Sequence, residues 1–207
     1  MALQSGSATF SRFTVEPPSG DPRKWLARSL ARGAFEPLDL QRGDDDRSAG
    51  FVEREDPAGT RFTIGAVALG EWAAFAWRID TVAVRASAVK AELAKWEAAF
   101  QGEHRRTVAR AERASARETI RRELRLRTPI TSRTFDVTWN LTTHELLAWV
   151  AARKVVEEIA LAVETAFGAK LTPGSPAALA ARAGATLDRL APTPELVGAP
   201  RRAEVAP

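Results

Sequence analysis

Arg106, Arg110, Arg113, Arg117 and Arg121 step by four, three, four and four residues, the spacing that stacks side chains on one face of a helix. Guanidinium groups are planar donor forks that match carboxylate and phosphate oxygens two at a time. Arg105, Arg122, Arg125 and Arg127 flank the stripe. Between residues 101 and 127, nine arginines face four glutamates, Glu103, Glu112, Glu118 and Glu123, a local +5 against +4 for the whole chain. Like charges at this spacing repel by a few tenths of a kcal/mol per pair, about 1 kcal/mol over the stripe, so an anionic partner is expected to offset it. Duplex DNA presents one charge per roughly 1.7 Å of axis, and the stripe spans about 22 Å at helical rise. No aromatic residue is interleaved with these arginines, so the expected contact is with the phosphate backbone, without base stacking or sequence readout. The candidate DNA-binding set is Arg105, Arg106, Arg110, Arg113, Arg117, Arg121 and Arg122, together with Lys90 and Lys95 earlier on the same helix. Two plainer readings compete. The stripe could be a solvated face relieved by Glu118–Arg122 and Glu123–Arg127 pairs, or it could meet an acidic surface on another subunit.

Other chemistry is sparse. Cysteine is absent from the chain, which removes disulfides, thiolate metal sites and thiol nucleophiles. His104 and His144 fall in different elements with no second ligand at metal-binding spacing, so no metal site is expected. Asp44, Asp45 and Asp46 follow one another beside Gly43 and read as a solvated turn. Asp80, next to Arg78 on a strand, suits a structural ion pair. No nucleophile elbow, phosphate-binding loop or dinucleotide fingerprint occurs, so no enzymatic activity and no cofactor are expected. The N-terminus lacks a basic start followed by an apolar stretch, and no segment approaches the roughly 20 apolar residues that span a bilayer. These features point to the bacterial cytoplasm and away from membranes.

The elements that must carry the stripe follow from periodicity. A strand is expected over Ala8–Val15. A helix follows with Asp21 as N-cap, Pro22 in its first turn and Gly33 past its end. Further strands are expected at Gly50–Arg54, Arg61–Leu69 and Phe75–Arg85. In the last, Phe75, Trp77 and Ile79 alternate with Ala76, Arg78 and Asp80. One helix is then predicted from Ser87, as its cap, to Pro129, about 60 Å long. Its first half carries the apolar stripe Val89, Leu93, Trp96 and Phe100, and Gly102 is its one weak point. Phe135, Val137, Trp139 and Leu141 alternate as another strand. Leu146–Ala152 fits either the return strand of a hairpin or a helix opened by a Thr142/Glu145 capping box. A helix over Lys154–Phe167 ends at Gly168. Trp72, in a turn beside Gly70, is the one tryptophan expected at the surface. From Leu171 onward prolines and alanines dominate, and the segment reads as a linker with a short helix at Ala177–Leu190 and a disordered end. The expected architecture is α+β: antiparallel sheet with packed helices and one very long, projecting basic helix, in a single domain over 1–170 with a tail at 171–207.

The order and wording of these segments resemble the RdgC family of bacterial recombination-associated proteins. The resemblance rests on strand Ala74–Arg85 running into Ala86-Ser87-Ala88-Val89-Lys90-Ala91-Glu92-Leu93, and on the basic Ala109-Arg110-Ala111-Glu112-Arg113. The Arg127-Thr128-Pro129 break, the Thr134–Leu141 strand, Ala34-Phe35-Glu36-Pro37-Leu38 and Gly50-Phe51-Val52 complete it. It covers roughly residues 8 to 172 and is one of pattern, with no short diagnostic motif. It implies a homodimer closing as a ring around duplex DNA, binding without sequence preference in the nucleoid and restraining the RecA recombinase. It also favours the hairpin at Leu146–Ala152. The family's longer C-terminal portion is replaced here by the Pro/Ala-rich stretch, and the aromatic expected after Pro129 appears as Ile130 or Thr131. The alternative expectation is a structural or adaptor protein whose long helix mediates oligomerisation or partner binding.

Overall fold

The alternation of Phe75, Trp77 and Ile79 with smaller or polar residues produces the longest strand and the centre of the sheet. In the computed structural model, which describes residues 9–184, this strand is Trp72–Thr81 (β4 in chain order). Ahead of it come β1 (Ser11–Glu16), α1 (Pro22–Arg32), β2 (Arg47–Val52), α2 (Ile64–Val67) and β3 (Ala68–Leu69). After it come α3 (Ala86–His104), α4 (Arg110–Arg127), β5 (Thr131–Asn140), β6 (Glu145–Ala148), α5 (Arg153–Phe167), β7 (Lys170–Pro173) and α6 (Pro176–Arg182).

The strands form one antiparallel sheet in the order β2-β4-β5-β6-β1-β7, with β3 paired to β4. The register puts Ala73 opposite Trp139, Phe75 opposite Val137 and Trp77 opposite Phe135, so apolar side chains from neighbouring strands meet on one face. Alpha helices 1 and 5 cover that face. Leu26 and Leu30 of α1, Ile159, Val163 and Phe167 of α5, and Phe51, Phe75, Trp139 and Leu146 of the sheet share one core. Phe167 is its hub, with ring centroids 5.4 Å from Trp139 and 5.8 Å from Trp25, both edge-on. The opposite face holds a smaller cluster of Phe35, Val52 and Ala76. There Arg78 lies 4.4 Å over the Phe35 ring and grips buried Asp80 through two hydrogen bonds of 2.8 and 2.7 Å. Burial alone would raise the Asp80 pKa, but bonds from Arg78 and Ser132 and the Arg78 charge outweigh it and hold the carboxyl below its ordinary value. Asp80 is thus the structural ion pair that its sequence context suggests.

Several expected elements form as read. Asp21 caps α1 by accepting from Arg23 N–H, Pro22 opens it and Gly33 closes it. Alpha helix 5 ends at Gly168 in the left-handed region. The hairpin reading holds at Leu146, because β6 pairs with β5 across a turn in which Asn140 Oδ1 accepts from Thr142 and Thr143 N–H. Trp72 is 36% exposed.

Other expectations are corrected. Of the strand predicted at Arg61–Leu69 only Ala68–Leu69 forms, as β3; Ile64–Val67 is the short helix α2, because the Thr63 hydroxyl accepts from Ala66 N–H and caps a turn there, a local bond that competes with extended pairing. The linker predicted from Leu171 begins instead as β7, paired with β1 from Phe13↔Pro173 to Glu16↔Lys170. Alpha helix 6 starts at Pro176 behind a Ser175 cap. The strand expected from Ala8 starts at Ser11, with Thr9 and Phe10 outside it; Ala8 itself, the end of the helix expected to Leu190 and the disordered end lie outside the described residues. No described helix is long and apolar enough to cross a membrane.

The largest correction concerns the long helix. It is two helices, α3 and α4, packed on each other as an antiparallel hairpin. Alpha helix 3 starts at Ala86, with Arg85 at the N-cap position and no side-chain cap from Ser87. It ends at Arg105, whose φ of 50° is left-handed. A continuous helix of about 60 Å would leave Trp96 and Phe100 in water. Folding back covers them with Ala116 and Ile120 of α4, and all four residues line one cleft. Thr107 and Val108 are β-branched and weak in helices, and Glu112 supplies the new N-terminus by accepting from Ala109 N–H at 2.9 Å.

Candidate nucleic-acid interface

The hinge between α3 and α4 is built by Arg106, which the sequence reading placed on the stripe. Its guanidinium lies 4.7 Å over the Phe100 ring and donates to both carboxylate oxygens of Glu112. Phe100 in turn packs 5.3 Å from Trp96 and 4.3 Å from His104. Glu112 is therefore clasped from both sides. The Arg106 bond first, and the Ala109 N–H second, lower its pKa from 4.5 to about 2. Arg106 belongs to the hinge and not to the helix face.

Four arginines of the stripe, Arg110, Arg113, Arg117 and Arg121, do share one face of α4, within about 80° of arc at 3.6 residues per turn. All four are exposed, but they are not equally free. Arg113 pairs with Glu97 of α3 at 2.5 Å, and Arg121 pairs with Asp46 at 2.8 Å. Arg110 and Arg117 have no ion-pair partner among the described residues. The same holds for the exposed Arg105, Arg122 and Arg127, which lie at the hinge, toward the next face and at the end of α4. The Glu118–Arg122 and Glu123–Arg127 pairs that would have relieved the stripe do not form among the described residues. Lys90 and Lys95 lie on α3, where Lys95 pairs with Glu92 at 2.7 Å. They sit on a separate helix from the ridge, not on its continuation.

Arg125 is the clearest departure from an exposed flank. It is buried at 6% exposure. Its Nε donates to Asp46 Oδ1 at 2.8 Å, and its other nitrogens donate to the carbonyls of Leu40, Gly43 and Asp45 at 3.0, 2.7 and 2.6 Å. The Asp44-Asp45-Asp46 turn is thus a socket for α4 and only partly a solvated loop. Asp44, Asp46, Glu118, Arg121 and Arg122 surround one small cleft beside it. Sequence inspection missed this role because Arg125 and Asp46 are 79 positions apart. No local signal marked it, because Arg42 and Arg47 flank the acidic run in sequence.

The electrostatic outcome is a polarised hairpin. Residues 86–127 carry eleven lysines and arginines against six glutamates, leaving +5, so the remainder of the chain is close to neutral. Arg113 is the ion-pair partner of a buried Glu97 oxygen. A surface ion pair such as Arg121–Asp46 contributes a median of about 0–1 kcal/mol, so Arg121 can turn to a phosphate at small cost. Arg125, with four acceptors and little water, cannot. Among the described residues no group of three His, Cys, Asp or Glu side chains is placed to hold a metal ion. No protein-family model and no characterised protein matches this chain in sequence.

Proposed function

We propose that the chain binds the phosphate backbone of duplex DNA, without sequence preference, through the arginine ridge of α4. One observation carries this reading: Arg110 and Arg117 stand exposed two turns apart on one face, without a carboxylate partner among the described residues. Arg113 lies between them, paired with the half-buried Glu97, and Arg121 lies one turn beyond, paired with Asp46. Together they offer four guanidinium groups over about 17 Å of helix, a length that meets several backbone phosphates. No aromatic side chain projects from this face, which disfavours stacking on unpaired bases. The resemblance to the RdgC family supports a role in recombination or genome maintenance, with a homodimer and the RecA recombinase as further proposed partners in the bacterial nucleoid.

A second reading is favoured by the cleft between α3 and α4, about 520 Å³, where Trp96, Phe100 and Ile120 are only half-buried. Leu126 and Ile130, nearby in sequence, are 50% and 40% exposed. On this reading the hairpin is a protein-docking or oligomerisation element that never meets nucleic acid.

Fluorescence anisotropy with a random duplex separates the two. Four neutralised phosphates give a log K against log[salt] slope of about −3 to −4, and scrambled duplexes bind alike. A slope near zero, or no binding at low salt, removes the DNA reading and leaves the hairpin as a protein-docking element.

A further inference from the structure

The sheet ends on β7, and an edge strand with open N–H and C=O groups is a template for another chain. The register fixes which groups of β7 face outward. Val15 N–H donates to His144 O on the β6 side, whereas Arg12 O accepts from Gly174 N–H on the β7 side at 2.7 Å. Successive residues of a strand direct their backbone groups to opposite sides, so Arg12, Thr14 and Glu16 face β7. Their partners Thr172 and Lys170 face back toward β1. Leu171 and Pro173 are left pointing away from the sheet.

Both outward positions are closed. Glu164 of α5 reaches across, and its Oε1 accepts from Leu171 N–H at 2.8 Å. Leu171 is buried at 9% exposure, and a bond to a charged acceptor is of the stronger kind. Pro173 has no N–H to offer. The strand therefore presents no unpaired N–H on its outer side. At the other edge of the sheet, β2 is covered from Phe51 onward. Phe51 exchanges two bonds with Gly33 and Phe35, and Glu53 N–H donates to Gly59 O.

The surface beside β7 shows why closure matters there. A groove of about 810 Å³ runs along it, lined by Phe10, Leu161, Leu171 and Leu179. Leu161 is 64% exposed and Phe10 40%. Burying such apolar surface would reward a strand laid on an open edge. The Glu164 side chain borders the same groove, so an added strand would also strip water from its carboxylate.

We infer that Glu164 and Pro173 form a built-in guard that keeps a second copy of this chain from extending the sheet at β7. Copies and partners then meet the molecule on other surfaces. The guard is independent of the arginine ridge, and neither reading rests on the other.

The test uses the full chain without nucleic acid. Amide exchange at Leu171 is followed by NMR, and molecular size by sedimentation velocity at rising concentration. The Leu171 amide should exchange slowly in the wild type and at least about tenfold faster in Glu164→Ala. It should stay slow in Glu164→Gln, whose amide oxygen still accepts. Glu164→Ala/Pro173→Thr has two outward N–H groups. It should form species larger than the wild type as concentration rises, with Leu171 exchange slowing again within them. Should the double variant fail to fold, Glu164→Ala alone carries the size measurement, with weaker growth in the same direction. Fast Leu171 exchange in the wild type, or exchange unchanged by Glu164→Ala, would overturn the inference. So would a folded double variant that keeps the wild-type size at every concentration, or wild-type copies that associate with further slowing at Leu171.

Discussion

Replacing Arg125 with methionine removes the fork that seats α4 on the 40–46 turn while keeping an unbranched apolar stem of similar reach. Four acceptors lose their donor: Asp46 Oδ1 and the carbonyls of Leu40, Gly43 and Asp45. A hydrogen bond to a charged group contributes about 1.5–3 kcal/mol, so four summed naively would give roughly 6–12 kcal/mol. That sum is too large here, for two reasons. The side chain of Asp46 is 36% exposed and keeps Arg121 at 2.8 Å. The three carbonyls belong to a surface turn that water reaches once the guanidinium leaves. Breaking a well-buried ion pair by removing one partner costs about 3–5 kcal/mol, which bounds the effect from above. The expected loss is therefore about 2–3 kcal/mol, read as a drop in the urea midpoint at unchanged m, with Tm lower by roughly 5–10 °C. Arg125→Lys keeps the charge but not the planar fork, and should fall between wild type and methionine. Amide exchange should quicken first at Gly43 and in the last turns of α4. A loss below about 0.5 kcal/mol, the range of ordinary surface changes, would show that the socket does not hold the hairpin and refute the reasoning.

Two further outcomes follow from the same geometry. At Gly50 an added Cβ would lie 2.4 Å from Phe35 Cα and 2.5 Å from Phe35 N, where the Gly33–Phe35 segment bonds to Phe51 through Phe35 N–H and Phe51 N–H. Gly50→Ala should therefore cost about 3 kcal/mol in chemical denaturation, and a neutral result would mean that this approach is looser than described. Glu112 has a pKa lowered from 4.5 to about 2, so its clasp is complete above the ordinary glutamate range and is lost as pH falls from about 4.5 through 2. Following the Glu112 carboxyl carbon by NMR should give that low midpoint, and Glu112→Gln should remove the acid-dependent change at Ala109 N–H. A midpoint near 4.5 would show that Arg106 does not hold the carboxylate.

The core of the fold was legible because it is local and periodic. Asp21, Pro22 and Gly33 punctuate α1, and the alternation around Phe75 and Trp139 places two long strands side by side. The hinge was hidden by a shared period. The Val89–Leu93–Trp96–Phe100 stripe and the arginine steps from Arg106 both keep helical spacing. Only the six-residue step from Phe100 to Arg106, which sets the second stripe about 90° from the first around a helix, breaks the pattern where the chain reverses direction. The physical clue was an unpaid apolar face: Trp96 and Phe100 need cover, and Ala116 and Ile120 sit at helical spacing to provide it. Thr107-Val108 and Glu112 at the third position of the new helix mark where the turn falls. The site was legible as a charge excess but not as geometry. Which arginines are spent on the protein itself depends on Asp46, Glu97 and Glu112, and only the last is near in sequence. Arg125 looked no different from Arg122.

The central claim is that the unpartnered guanidiniums of α4 meet duplex phosphates, and a salt titration of duplex affinity for Arg110→Gln/Arg117→Gln tests it most directly. A fold-neutral control replaces Arg28 and Lys154, which are exposed on α1 and α5, with glutamine. The account predicts that the α4 double variant flattens the log K against log[salt] slope by about 1.8 while the control leaves it unchanged. Equal slopes for wild type, variant and control would contradict it.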